Sequence, residues 1–467
     1  MKKTISVLLT ILMVLSLLPA TAWAAVTGYC GENATFSLDD DGTVTISGTG
    51  WVDGEDDDYF EVKTEFKRAN VQNGITALSY GSFAQCKMLE EVILPDSITS
   101  MYDETFSGCT ALKSVRMPNN PNMIMGSKVF YGCSNLTSIV IPTKYLNSHS
   151  FYGCSNLKSV DFTSNFTGAI QRYSFYGCSN LPRIDIPKGT TYLGEYTFVN
   201  CENLSSLTIP NSLWGIGQNA FWGCSSLDDL VIPGTVRNIE DGAFGYCTAL
   251  TSLKLGDGLQ SIGEDAFICC ISLTDVTIPA SVTHIGGGAF ASCSSLQDIQ
   301  VAAGNKDYTS VDGVLFTKSM DRLVCFPGGR GGDYTVSDGV SIIGGNAFGQ
   351  NSRLTSITIP TSVTRIGDYA FTNCLNLKNI YYQGTVEQWK DIEIGDENEY
   401  LSSAVIHYGA GDLNGGGLDI SDVEALYEHL TGTASLSTGG LALADINGDG
   451  AVDVYDLQYL YECVAGI

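Results

Sequence analysis

A twelve-residue stretch near the C-terminus has the composition and spacing of a calcium-binding loop. It reads DINGDGAVDVYD over residues 445–456, with Gly450 at its sixth position. Calcium prefers six to eight hard oxygen ligands, and a glycine at the sixth position permits the sharp turn between them. The twelfth residue is Asp in place of the more usual Glu. The predicted ligands are the side chains of Asp445, Asn447, Asp449, Asp453 (directly or through water) and Asp456, and the carbonyl of Ala451.

A related loop begins 33 residues upstream, at residue 412. Its sequence, DLNGGGLDISD, is one residue shorter and lacks a carboxylate equivalent to Asp449. We therefore expect its calcium affinity to be weaker or absent. A helix is predicted after the second loop, because apolar residues recur at positions 454, 457, 460 and 464. The candidate ligands that remain in the first loop are Asp412, Asn414, Asp419 and Asp422.

The two loop–helix copies, in residues 409–467, resemble a type I dockerin. The resemblance implies calcium-dependent folding and docking to a cohesin module on a scaffolding protein, as in cellulosome-like complexes that degrade plant polysaccharide. It also implies that the tenth and eleventh loop positions contribute to the choice of cohesin. A calcium-stabilised terminal domain without such a partner is the alternative. The implied partner-binding residues are Ile420 and Ser421 in the first copy and Val454 and Tyr455 in the second, and these pairs differ.

Most of the chain upstream is a repeat in which Phe is followed three residues later by Cys. Most intervals are 23 residues, and a period of this size predicts a solenoid. Each unit, such as Leu204–Ser226, is too small to bury its apolar face alone, so stacked units should form a parallel sheet. The pairs are Phe83/Cys86, Phe106/Cys109, Phe130/Cys133, Phe151/Cys154, Phe175/Cys178, Phe198/Cys201, Phe221/Cys224, Phe244/Cys247, Phe267/Cys270, Phe290/Cys293 and Phe371/Cys374, while Phe348 is followed by Asn351.

The repeat also predicts the state of the cysteines. Eleven of the 15 occupy one equivalent position, so they should form a column of small buried side chains. Parallel Cα–Cβ bonds do not aim neighbouring sulfur atoms at each other, which disfavours disulfides within the column. We expect buried thiols there.

The repeats, for example LTDVTIPASVTHIGGGAFASC (273–293), resemble the bacterial surface-antigen, or BspA-like, type of leucine-rich repeat. The expected fold class is an α/β-type repeat solenoid: a β-rich array with a parallel sheet and β caps, followed by a small all-α calcium-binding dockerin. The expected domains are a signal peptide (1–24), an N-terminal β cap (25–74), the repeats (75–380) with an inserted hairpin near 301–330, a C-terminal cap (381–408) and the dockerin (409–467).

The N-terminus and the net charge bear on location and partners. Lys2 and Lys3, an apolar stretch and the small-residue site Ala22-Trp23-Ala24 together indicate a secretory signal peptide. A formal charge of −27 argues against nucleic acid and against anionic membrane surfaces. No later stretch is long and apolar enough to span a membrane. We expect an extracellular protein, attached to a cell-surface or free complex.

The repeats show no catalytic constellation and favour a binding role. The four histidines are scattered, and no nucleophile, metalloprotease or phosphate-loop motif is found. The sequence therefore predicts a non-catalytic protein whose repeats bind a protein or a glycan. A host- or cell-surface adhesin, and an accessory glycoside hydrolase or peptidase, are the alternatives. Four aromatic residues that follow the repeat Phe could stack on sugar rings or partners, or pack on the neighbouring turn: Tyr131, Tyr152, Tyr176 and Trp222.

Overall fold

A computed structural model describes residues 25–409, 411, 413, 419–436, 443–446 and 451–465. The expected signal peptide lies outside these residues. The described chain forms two compact units. The first extends to Lys144 and includes Asp161–Asn165, and the second comprises Tyr145–Val160 and the chain from Phe166 onward.

The first unit begins with an antiparallel meander of three strands, β1 to β3, and continues with two series of parallel strands. One series runs β3–β5–β7–β9 and the other β4–β6–β8–β10. The unit also contains the short helix α1 (Asp57–Val62) and a 3-10 turn at Lys63–Glu65. Its strands are β1 (Val26–Tyr29), β2 (Ala34–Leu38), β3 (Thr43–Gly48), β4 (Gly50–Val52), β5 (Arg68–Val71), β6 (Ile75–Leu78), β7 (Glu91–Ile93), β8 (Ser100–Met101), β9 (Ser114–Arg116), β10 (Ile124–Met125) and β11 (Ser138–Ile141).

The second unit repeats the same two-strand pattern. Each repeat contributes a strand of three or four residues and a strand of two, and equivalent residues 23 positions apart pair in parallel, as in Arg183 with Ser206 and Tyr192 with Gly215. The expectation of a parallel-sheet solenoid is confirmed. The strands are β12 (Ser159–Phe162, shared with the first unit), β13 (Arg183–Asp185), β14 (Tyr192–Leu193), β15 (Ser206–Thr208), β16 (Gly215–Ile216), β17 (Asp229–Val231), β18 (Asn238–Ile239), β19 (Ser252–Lys254), β20 (Ser261–Ile262), β21 (Asp275–Ile278), β22 (His284–Ile285) and β23 (Asp298–Val301).

After β23 the chain leaves the regular repeat as a three-stranded antiparallel insert, β24 to β26, and then rejoins the parallel series. The elements here are β24 (Tyr308–Val311), β25 (Val314–Thr317), β26 (Arg322–Cys325), β27 (Gly332–Thr335), β28 (Ile342–Ile343), β29 (Leu354–Ile359), β30 (Arg365–Ile366), β31 (Asn379–Tyr382), α2 (Val386–Lys390), β32 (Glu393–Ile394), α3 (Glu399–Ser403) and β33 (Val405–Tyr408). No helix lies between residues 66 and 385, so the repeats are strands and turns and the expected α/β label is too broad.

The core of each repeat is built from the same few apolar residues. In the repeat that contains β15 and β16, Leu204, Leu213, Ile216, Phe221 and Cys224 are fully buried. The phenylalanine rings stack face to face from repeat to repeat, at 5.1 and 5.4 Å in the first unit. In the second unit they stack at 5.0–5.5 Å from Phe151 to Phe290. Through this column of stacked rings each repeat packs on the next, so neighbouring repeats stabilise each other.

The cysteines of the column form no disulfides, as the repeat predicted, and most of them share a regular hydrogen-bond partner. Cys224 Sγ donates to the carbonyl of Phe198, one repeat earlier, at 3.3 Å. The same bond recurs at Cys109, Cys133, Cys178, Cys201, Cys247, Cys270, Cys293 and Cys374. Burial raises the pKa of the Cys224 thiol well above its usual value, so the thiol stays protonated and can donate.

Within the described residues, no helix is both long and apolar enough to cross a membrane.

Candidate functional site

The C-terminal segment contains two buried carboxylates in equivalent surroundings. Asp456 is completely buried, and its Oδ1 and Oδ2 accept the backbone N–H groups of Ile446 and Asp453, both at 2.8 Å. Asp422 is also completely buried and accepts from Leu413 at 2.8 Å and from Asp419 at 2.9 Å. The two copies therefore share one hydrogen-bonding scheme, although the first loop is a residue shorter.

A second carboxylate in each copy caps the helix that follows. Asp419 Oδ1 accepts the Ser421 N–H at 2.8 Å at the start of α4 (Ile420–Leu430), where it forms a capping box with Asp422. Hydrogen bonds from Ser421 lower the pKa of Asp419. Asp453 accepts the Tyr455 N–H at 2.8 Å at the start of α5 (Val454–Ala465). Each loop is thereby tied to its helix by two side chains.

The donor set suits calcium. The two oxygens of Asp456 each accept a backbone N–H, and an oxygen atom of Asp445 is also buried, so carboxylate oxygens of the kind that calcium prefers lie at this loop. Ala451 and Asp453 flank the same helix start. In the parts of the chain that the structure describes, no group of three or more metal-binding side chains converges. Four predicted ligands, Asn447, Asp449, Asp412 and Asn414, lie outside those parts, so the calcium sites remain a prediction.

The two helices pack through a small apolar core and leave an apolar groove on their exposed side. Leu426, Ala444, Ile446 and Leu460 form the core. The groove has a volume of about 430 Å³ and is lined by Val423, Glu424, Tyr427, Val454, Leu457, Gln458 and Tyr461.

Of the four predicted partner-binding residues, Val454 lines this groove, while Ile420, Ser421 and Tyr455 are exposed at the helix starts. Tyr427 and Tyr461, which are 58% and 52% exposed, were missed by the sequence analysis. Their spacing of seven residues from Ile420 and Val454 is the signal that could have found them, because residues seven apart share a helix face.

The predicted aromatic stripe is real in part and is interrupted. In the second unit Tyr152 and Tyr176 stack at 4.6 Å, and Trp222 lies 4.8 Å from Tyr246. Val199 occupies the equivalent position between Tyr176 and Trp222, so these rings are not neighbours. Tyr131 belongs to the first unit, where it is partly exposed.

A second aromatic column, which the sequence analysis missed, stands two residues before the repeat Phe. His149, Tyr173 and Tyr196 stack in order, at 4.7 and 4.8 Å. The two columns border a cavity of about 420 Å³. Its lining residues are Tyr173, Tyr176, Tyr196, Val199, Asn200, Asn219 and Trp222.

The stacked strand-and-turn units define the protein as a leucine-rich repeat protein. The sequence matches the BspA type leucine rich repeat region over residues 56–169, 123–233, 168–297, 215–320 and 325–393, and the chain belongs to this family. Proteins of this class are typically found at the cell surface, are generally non-enzymatic and bind protein or other ligands.

Several solved structures are similar to this chain. A leucine-rich repeat protein from Bacteroides ovatus has 18% identity and a TM-score of 0.48, over 81% of this chain and 99% of its own. A leucine rich cell surface protein from Faecalibacterium prausnitzii has 22% identity and a TM-score of 0.32, over 78% and 97%. The pneumococcal vaccine antigen PcpA has 15% identity and a TM-score of 0.29, over 83% and 88%. No curated protein sequence matches the chain.

Proposed function

We propose that this is an exported, non-catalytic binding protein, whose repeats hold a ligand and whose C-terminal segment docks to a cohesin on the scaffold of a cellulosome-like, polysaccharide-degrading complex. The observation that carries the proposal is the duplicated arrangement of a buried carboxylate, a capping carboxylate and a helix. A hydrogen-bonding scheme that recurs in two loops of different length indicates a duplicated functional unit. The apolar groove between the helices supports a docking role, because exposed apolar surface of this kind is typical of interaction sites.

Calcium would be held mainly by the second loop. There Asp445, Asn447, Asp449, Asp453 and Asp456 would supply side-chain oxygens and Ala451 its carbonyl, and the bound ion would offset their mutual repulsion. Asp412, Asn414, Asp419 and Asp422 would hold an ion more weakly in the first loop. In both loops backbone N–H groups donate to the buried Asp, which ties part of the loop to the start of its helix.

Docking would use the exposed helix faces. Ile420, Val454 and Tyr455 are 54%, 63% and 66% exposed at the two helix starts. Tyr427 and Tyr461 extend the same apolar surface along the helices. Aromatic side chains with exposed apolar faces are enriched among the residues that dominate binding energy at interfaces.

The test is calorimetric titration of the full chain with a panel of cohesin modules, in calcium and then in EGTA. We expect binding that EGTA abolishes and that Tyr427→Ala with Tyr461→Ala weakens. Asp456→Asn and Asp422→Asn form a matched pair, because each keeps the side-chain shape and removes a charge at an equivalent site. Asp456→Asn should reduce calcium affinity more, since its loop has the complete ligand set.

Two outcomes would overturn parts of the proposal. Calcium binding without any cohesin partner would reduce the segment to a stabilising terminal domain. Equal losses of calcium affinity in the two Asn variants would contradict the assignment of the second loop as the main site.

Family membership favours one further role, that of an adhesin displayed at a cell surface. Binding of the full chain to mucin or matrix proteins, with no binding to polysaccharide, would favour that role.

A further inference from the structure

The aromatic column that follows the repeat Phe has a gap one repeat wide. Tyr176 and Trp222 stand on either side of it, and the buried Val199 forms its floor. The stacked phenylalanine rings of the same three repeats are 5.2 and 5.0 Å apart. The repeats that carry Tyr176 and Trp222 are therefore about 10 Å apart, and a flat ring placed midway between two rings at that spacing would lie about 5 Å from each, within stacking distance. The gap is a slot for one ring.

Both aromatic walls of the slot, Tyr176 and Trp222, pack against neighbouring parts of the protein. Tyr176 stacks on Tyr152 with ring planes only 5° apart. Trp222 packs over the backbone of the next repeat, where a Cβ atom on Gly245 would come within 2.4 Å of the indole ring. Each wall thus packs on the protein on one side, and both walls line the cavity. Rigid walls of this kind lower the entropy lost when a ligand is bound.

The backbone conformation of the second aromatic column, which contains Tyr173 and Tyr196, also supports a ligand slot here. Tyr173 and Tyr196 have φ angles of 59° and 57°, in the left-handed region. Equivalent positions in the following three repeats hold Asn219, Gly242 and Asp265, residues that this conformation favours. A bulky residue there costs on the order of 1 kcal/mol. The rings are present despite their backbone conformation, which points to a use for the rings themselves.

The lining of the cavity has the chemistry of a sugar site. It combines aromatic residues with the amide-bearing Asn200 and Asn219, and no charged residue is among its lining residues. Its volume of about 420 Å³ is typical of small-ligand sites. We propose that the slot binds one pyranose ring of a neutral polysaccharide, stacked between Tyr176 and Trp222, with its hydroxyl groups bonded to the two amides. The inference deepens the proposed binding role of the repeats and rests on it.

Neutral glycan fits better than an anionic ligand. The uncharged lining offers no cation to pair with a uronate or sulfate group, and the net charge of the chain, −27, would repel one. Amide groups both donate and accept hydrogen bonds, as hydroxyl groups require. A proline-rich peptide also suits an aromatic groove, so such a peptide serves as a competitor.

The most informative variant adds an aromatic ring at the gap in the column and removes none. Val199→Tyr places at this position the residue that already stands at positions 131, 152 and 176, so the local backbone accepts it. It should complete the column, fill the slot and abolish glycan binding while leaving thermal stability unchanged or higher. Trp222→Ala should weaken binding about tenfold or more by opening the slot. Trp214→Ala is the control, because Trp214 is an exposed indole stacked on Tyr192 at 5.0 Å outside the slot.

We would titrate the full chain with cellohexaose, xylohexaose and mannohexaose, with polygalacturonate as an anionic glycan and a proline-rich peptide as a competitor. Binding of at least one neutral hexasaccharide that Val199→Tyr abolishes and Trp214→Ala preserves is the expected result. Absence of binding to all three, or binding that Val199→Tyr leaves intact, would overturn the proposal. Peptide binding lost in Val199→Tyr would overturn it in favour of a protein ligand. Cohesin binding, measured on the same variants, should not change, so a failure here is distinguishable from a failure of the docking role.

Discussion

Asn351 occupies the cysteine position of its repeat, and restoring the consensus there should destabilise the protein. The side chain is 1% exposed. Its Nδ2 donates to the carbonyl of Arg330 at 3.0 Å, and its Oδ1 accepts the N–H groups of Arg353 and Leu354 at 2.9 and 3.0 Å. A cysteine cannot reach these three backbone groups, so Asn351→Cys leaves them without their partner in the interior.

The size of the effect follows from the bonds lost. A neutral intramolecular hydrogen bond contributes a net 0.5–1.5 kcal/mol, so three of them amount to about 3 kcal/mol. Replacement by the consensus residue of a repeat commonly stabilises a protein by about 0.5–2 kcal/mol. The loss of these bonds and the gain from a consensus residue therefore act in opposite directions. We expect the loss of the bonds to dominate, because the side chain of Asn351 is buried and bonds three backbone groups.

The assay is urea unfolding in reducing buffer, combined with amide hydrogen exchange of β29, the strand that begins at Leu354. Repeat proteins can unfold in more than one step, and exchange locates the loss in this repeat. Asn376→Cys is the control, because Asn376 is exposed and makes one side-chain bond, to the carbonyl of Ser352. An unchanged or higher unfolding free energy for Asn351→Cys would refute the reasoning.

Three further predictions concern the column and its charges. Phe221→Leu should lower the unfolding free energy by about 1 kcal/mol more than Phe290→Leu does. The reason is that Phe221 stacks on two rings, at 5.0 and 5.1 Å, whereas Phe290 stacks on one, at 5.5 Å. Equal losses in urea unfolding would count against ring stacking. Burial raises the pKa of Asp265 to about 6, so the folded state binds this proton more tightly and stability falls as pH rises from 4 to 6. Asp265→Asn should therefore stabilise the protein at pH 7.5 by about 1 kcal/mol after solvent screening, and not at pH 4; thermal unfolding that gains equally at both pH values would contradict this. In the native protein a thiol reagent should label no more than Cys269 and Cys463, the two partly exposed cysteines; labelling of column thiols before unfolding would mean that the column opens.

The regular part of the fold could be predicted from the sequence because its units are nearly identical. A fixed period places Phe on Phe and Cys on Cys whatever the details of the turn, so the parallel sheet and the buried thiols follow from spacing alone. The hydrogen bond from a column thiol to the phenylalanine carbonyl of the preceding repeat, which recurs at nine cysteines, was not predicted. It depends on the rise between repeats, which sequence spacing does not contain.

The irregular places could not be predicted in the same way. Phe326, which has no cysteine three residues later, stacks on Phe348 at 5.0 Å and continues the column beyond the insert. Asn305, at the start of the insert, bonds the carbonyls of Pro279 and Val282 and the N–H groups of Asp307 and Tyr308. Where the period breaks, only the folded chain shows which residues become neighbours.

For the candidate sites as well, the sequence predicts the local features and only the folded chain shows the neighbours that are distant in sequence. The types and spacing of the residues in the C-terminal loops predict their ligands, because a calcium loop is a local structure in which ligands lie within twelve residues. The four aromatic positions were also visible in the sequence. Tertiary structure alone decided that Tyr176 and Trp222 line one cavity, that Tyr173 and Tyr196 line it with them, and that the two helices share a groove. The reason is physical: a slot or a groove is the space between residues far apart in sequence, and its width is set by the stacking of the backbone that carries them.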